Sequence, residues 1–85
     1  MGAYRLLIKR SAVQELQAIR ERDRLRLAGR IRALSTDPRP PGCEQLSGQD
    51  RLRVRQGDYR VVYEVNDVKR EVTIYKIGHR REVYR

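Results

Sequence analysis

The chain has 85 residues, enough for one domain spanning 1–85, and a domain this small buries only about 60 to 65% of its unfolded surface, which excludes a deep enclosed pocket for a large cofactor. The net charge is +9, from 20 Lys and Arg against 11 Asp and Glu, and such a balance favours nucleic acid, an anionic membrane surface or an acidic protein as partner. One cysteine (Cys43) and one histidine (His79) exclude an internal disulfide and a Cys/His zinc site.

Only Lys9, Lys69 and Lys76 are lysines, so the remaining cations are all arginine. Guanidinium is a planar fork that holds phosphate bidentately and stacks on bases. A codon bias toward arginine would explain the choice of cation but not the excess of charge. No segment approaches 18 apolar residues, and Met1 to Lys9 carries neither a long apolar run nor a small-residue cleavage site, so no membrane span or signal peptide is expected and the cytoplasm is the expected compartment.

Residues 4–9 are short, apolar and free of breakers, and read as a strand. Ser11 with Gln14 three positions on reads as a capping-box start to a helix. Ala12, Val13, Leu16 and Ile19 then recur at helical spacing. Glu21-Arg22-Asp23 is the expected break. A second helix carries Leu25, Leu27, Ala28, Ile31 and Leu34 on one face, with Arg24, Arg26, Arg30 and Arg32 on the other, so the pair reads as a helical hairpin. Pro38, Pro40, Pro41 and Gly42 form a linker that no helix crosses, and Cys43 within it reads as incidental. Three strands follow, at 51–56, 59–66 and 71–78, joined by turns at Gln56-Gly57-Asp58 and Asn66-Asp67-Val68-Lys69. The order β-α-α-β-β-β predicts an α+β domain, an antiparallel meander packed on an N-terminal helical hairpin.

Alternation places Arg51, Arg53 and Arg55 on one face of their strand, and Arg60 on the matching face of the next. Like charges so close repel unless something anionic fills the face. After Gly78 come His79, Arg80, Arg81, Glu82, Val83, Tyr84 and Arg85. Histidine is the side chain best suited to proton transfer near neutral pH. Arginine can neutralise a pentacoordinate phosphate, and tyrosine can stack on a base or pass a proton. Asp58, Asp67, Glu71 and Glu82 are scattered, so no carboxylate cluster for Mg²⁺ is expected, nor any other cofactor. An RNA enzyme built from these residues would use the 2′-OH as nucleophile, leaving a 2′,3′-cyclic phosphate and a 5′-OH.

The stretch Arg51 to Val65, with its Tyr59-Arg60-Val61-Val62-Tyr63 strand, and the ending Ile77-Gly78-His79-Arg80-Arg81-Glu82-Val83-Tyr84-Arg85 resemble the RelE toxins of bacterial toxin–antitoxin systems. Length, element order and linker position agree over nearly the whole chain. The resemblance implies a RelE-like fold and a ribosome-dependent endoribonuclease that cuts mRNA and inhibits translation. It also implies neutralisation by a cognate antitoxin in a hetero-oligomeric complex. By the same resemblance Arg60 and Arg80 stabilise the cleaved phosphate, and Tyr84 stacks on the mRNA base and assists proton transfer. Arg51 and Arg53 fall where the best-known members carry lysines.

Arginine cannot act as a general base near neutral pH. His79 is therefore expected to take more of the acid–base work, with Arg51, Arg53, Arg55, Arg81 and Arg85 binding RNA. With the sequence ending at Arg85, no helix is expected after Tyr84. Two other readings compete: a ParE-type inhibitor of DNA gyrase with the same fold, and a non-catalytic nucleic-acid-binding module.

Overall fold

The computed structural model describes residues 3–46 and 50–79. Elements follow in the order β1 (Arg5–Ile8), α1 (Arg10–Gln17), α2 (Glu21–Ala33), β2 (Glu44–Gln45), β3 (Arg51–Gln56), β4 (Tyr59–Asn66) and β5 (Glu71–His79). The α+β class and the β3–β4–β5 meander are as expected. The sheet has five strands in the order β1-β5-β4-β3-β2. β1 joins β5 in parallel register, Arg5 beside Glu71 and Ile8 beside Ile74. The two-residue β2 closes the other edge against β3. Periodicity cannot reveal so short a strand, and the parallel pairing depends on contacts distant in sequence.

Both helix starts differ from the sequence reading. Lys9, extended at φ −63° and ψ 148°, precedes α1, and no side chain caps that helix. The Lys9 N–H donates to the Ile74 carbonyl (3.0 Å) and its carbonyl accepts from Val13 N–H (3.0 Å), so the strand passes straight into the helix and Ser11 lies inside it. The break between helices falls at Ala18–Arg20. Glu21 and Asp23 form the first turn of α2, where acidic side chains complement the positive end of the helix dipole.

The helices cover one sheet face. Leu27, Ile31, Leu34, Val54, Val61, Tyr63, Val72, Ile74 and Ile77 make the core with Ala12. The Tyr63 hydroxyl donates to the Pro38 carbonyl at 2.7 Å and so pins the proline linker to the sheet. Asp67 ties three segments together, accepting from Tyr4 Oη (2.7 Å) and from both terminal nitrogens of Arg39 (3.1 and 3.0 Å). No helix among the described residues is long and apolar enough to cross a membrane.

Candidate nucleic-acid interface

The sheet face away from the helices carries the arginines. Strand register arranges them in rows: Arg55 beside Arg60 beside Gly78, Arg53 beside Val62 beside Lys76, and Arg51 beside Glu64 beside Thr73. The pleat sends each of these side chains to the same face, as alternation requires. Gly78 places no side chain next to Arg60.

Arg60 is the buried charged residue of this face, with 6% of its surface exposed. Its Nη1 donates to the neighbouring Tyr59 carbonyl at 3.3 Å, and its Nε has no partner. No carboxylate among the described residues forms an ion pair with it. A buried guanidinium without an acidic partner, opposite a second arginine, is costly in the free protein. An arriving phosphate would remove that cost.

The neighbouring arginines are differently placed. Arg51 Nε donates to Glu64 at 3.1 Å. Arg53, largely covered, pairs with Glu44 of β2. The Glu44 carboxyl is held below the usual carboxylate range, first by that hydrogen bond and then by the charges of Arg53, Arg55 and Arg60, against a smaller opposing effect of burial. Arg55 is exposed. Among the described residues, the face therefore grades from ion-paired cations at one end to cations without a carboxylate partner at the other. At the ion-paired end an open cleft of about 630 Å³ is lined by Asp50, Glu64, Asp67 and Glu71 together with Arg39 and Tyr75, and Glu64, Asp67 and Glu71 are paired with Arg51, Arg39 and Arg5.

His79 lies on the opposite face. It pairs with Tyr59, and the two rings meet edge to face with centroids 5.7 Å apart. Together with Glu15, Ala18 and Ile19 they line a cleft of about 480 Å³ between α1 and the end of the sheet. The structure thus brings Arg51, Arg53, Arg55 and Arg60 together and sets His79 on the helix side of the same strand end. Arg80, Arg81, Tyr84 and Arg85 lie outside the described residues.

Two residues of this face went unnoticed in the sequence. Glu44 gave no signal, because a two-residue strand has no pattern. Tyr75 gave one. Buried apolar positions on β5 shift from Val72 and Ile74 to Ile77, from even to odd. Such a shift marks a β-bulge, and the register slips between Val62 and Tyr63 leave Tyr75 as the extra residue. Tyr75 and Lys76 consequently both leave the core side. No group of three His, Cys, Asp or Glu suited to a metal ion occurs among the described residues.

Comparison with known proteins agrees with this geometry. A family model described as the ParE toxin of the type II toxin–antitoxin system parDE matches residues 6–84. The RelE–RelB complex from Pyrococcus horikoshii OT3 is 29% identical, with a TM-score of 0.80 over 94% of this chain and 98% of that one. The isolated RelE toxin of E. coli is also 29% identical, with a TM-score of 0.80 over 96% and 92% of the two chains. The RelBE2 complex of Mycobacterium tuberculosis, at 21% identity and a TM-score of 0.82 over 91% and 98%, shares the fold. No curated protein matches significantly in sequence.

Proposed function

The chain belongs to the ParE toxin family of type II toxin–antitoxin systems, and from that premise we propose that it is a toxin that cuts mRNA on the ribosome and is neutralised by a cognate antitoxin in a hetero-oligomeric complex. The observation that carries this reading is Arg60: a buried guanidinium with a free Nε, at the uncompensated end of an arginine face. A phosphate is the ligand such a group is shaped to receive. Matches to RelE structures at 26 and 29% identity support the choice of RNA, and the complexes with RelB among them support an antitoxin partner.

In the proposed reaction the 2′-OH attacks the adjacent phosphorus. The P–O2′ bond forms and the P–O5′ bond breaks, giving a 2′,3′-cyclic phosphate and a 5′-OH. The nucleophile's proton passes to a base and the 5′ oxygen takes a proton from an acid. Arg60 and Arg80 neutralise the phosphorane. His79 and Tyr84 handle the protons, which for His79 requires the RNA to round the end of the sheet between β4 and β5. Arg51, Arg53, Arg55, Arg81 and Arg85 hold the flanking backbone.

The ParE family match favours a second reading, inhibition of DNA gyrase without cleavage. One experiment separates the two: purified protein is added to programmed ribosomes and mRNA 5′ ends are mapped, with a gyrase supercoiling assay in parallel. Codon-phased cuts with unimpaired supercoiling support the first reading. Intact mRNA with blocked supercoiling replaces it with the second.

A further inference from the structure

The uncompensated cations of the sheet extend beyond the arginines. Lys9 follows β1 directly, beside the bulged Tyr75, and its Nζ lies 4.8 Å from the centre of that ring. The Arg51 guanidinium approaches the same ring at 4.2 Å. Cation–π contacts of this kind fix long cationic side chains that would otherwise sample many rotamers. Among the described residues, neither Lys9 nor Lys76 forms an ion pair with a carboxylate, and the same holds for Arg55 and Arg60. Arg5, Arg51 and Arg53, which border this group, are paired with Glu71, Glu64 and Glu44.

These four cations, without a carboxylate ion pair among the described residues, come from four successive strands or their ends: Arg55 from β3, Arg60 from β4, Lys76 from β5, Lys9 from the end of β1. They form a diagonal across the strands: Arg55 and Arg60 share the row of Gly78, Lys76 lies two residues and Lys9 three residues further along the sheet, so three strand spacings of about 4.8 Å combine with an offset of about 10 Å to give roughly 17 Å. The bulge creates this line, because regular alternation through Tyr75 would have put either Tyr75 or Lys76 on the core side.

We infer that Lys9, Tyr75 and Lys76 form a flanking subsite for single-stranded RNA, so that the polynucleotide passes diagonally from the Arg55–Arg60 row at the strand end over Lys76 to Lys9. The inference rests on the RNA reading given above and adds the direction and extent of the bound strand. Lys9 and Lys76 take the phosphates on the β1 side of the one held by Arg60. Tyr75 positions Lys9 and offers its ring to a base once the ammonium moves onto phosphate. Tyr75 also borders the neighbouring cleft, where the ion pairs Arg5–Glu71 and Arg51–Glu64 neutralise the carboxylates beside it.

The test is binding of a fluorescein-labelled 12-nucleotide oligouridylate to the whole chain, by anisotropy between 50 and 300 mM salt. Each phosphate contact on single strands contributes about 0.7 to the slope of log affinity against log salt. Lys9→Gln with Lys76→Gln is expected to flatten that slope by about 1.4, and Tyr75→Leu to weaken binding about fivefold or more while Tyr75→Phe does not. A thermal melt shows that each variant is folded. An unchanged slope in the double variant, Tyr75→Leu binding within twofold of the parent, or a parent chain that binds no oligonucleotide overturns the subsite. Cleavage of ribosome-bound mRNA by the same parent chain is scored separately. A parent that binds RNA along this track without cutting it removes the nuclease reading and leaves the subsite standing.

Discussion

Arg60 stands directly opposite Arg55 across the β3–β4 ladder, and no ion pair to a carboxylate relieves either guanidinium among the described residues. Cross-strand like charges destabilise a sheet by about 0.2 to 1 kcal/mol. Arg55→Gln is therefore expected to raise stability by an amount in that range at 20 mM salt. The gain should shrink at 500 mM, where screening already weakens the repulsion. Urea unfolding at the two salt concentrations checks this; a gain that does not respond to salt would point to packing.

Arg60→Met carries the opposition between stability and activity further. It keeps the apolar stem and removes a buried donor without a partner, a defect worth about 1 to 3 kcal/mol. The variant should be more resistant to urea than the parent. Cleavage of ribosome-bound mRNA should fall on the order of 10² to 10³-fold, as for loss of one donor to a developing anion. A less stable variant would make Arg60 a structural residue.

Glu15 holds the far end of β5. Beyond Ile8, strand β1 no longer covers that edge, and Glu15 Oε1 accepts from the Ile77 N–H at 2.9 Å. Glu15→Ala leaves this partly buried donor unpaired and should cost about 1 to 3 kcal/mol. Glu15→Gln retains an acceptor and should cost much less. Amide exchange at Ile77 reads the effect locally, rising in Glu15→Ala and staying slow in Glu15→Gln.

His79 faces the α1 cleft against Tyr59, away from Arg60. If the RNA rounds the strand end, His79→Ala lowers the cleavage rate by a factor of about 10² or more. Full activity in His79→Ala, measured at saturating ribosome concentration, would assign the proton transfers to residues 80–85.

Acid stability depends on two carboxylates. The Asp67 carboxyl is held below its ordinary range, chiefly by the Arg39 hydrogen bonds and then by that of Tyr4, and Glu44 is held down by Arg53. Unfolded carboxyls titrate at about 3.9 for Asp and 4.3 for Glu. A depressed folded value means the unfolded chain binds more protons as pH falls, so the contribution is complete above the unfolded values and is lost as pH drops through the folded ones. Melting temperature should therefore decline below about pH 4 to 5, and the decline should be shallower in Asp67→Asn with Glu44→Gln. An unchanged profile in the double variant would sink this assignment.

The meander and the arginine face were legible in the sequence because both depend on local alternation, as Arg51, Arg53 and Arg55 illustrate. The helix starts differ because Ser11 has the chemistry of a cap and Glu21-Arg22-Asp23 that of a polar turn, while the chain geometry after β1 and after α1 decides where helices begin. The position of His79 was not legible. Its face follows from the bulge at Tyr75, which inverts the parity of β5 from that point on. Counting from Val72 without the bulge places His79 with the arginines; counting with it places the ring against Tyr59.

The parallel pairing of β1 with β5 also sets when the protein becomes competent. Arg5 meets Glu71, 66 positions further along the chain. A contact of that sequence separation forms only after the intervening chain has folded or collapsed, and closing so long a loop is a late and slow event. Until β5 pairs with β1 and β4, Lys9 has no Tyr75 to rest on and Arg60 has no Gly78 beside it. The meander can assemble from nearby segments, but Lys9 joins the other cations of the face only once β1 has met β5, across a gap in sequence that local structure cannot bridge.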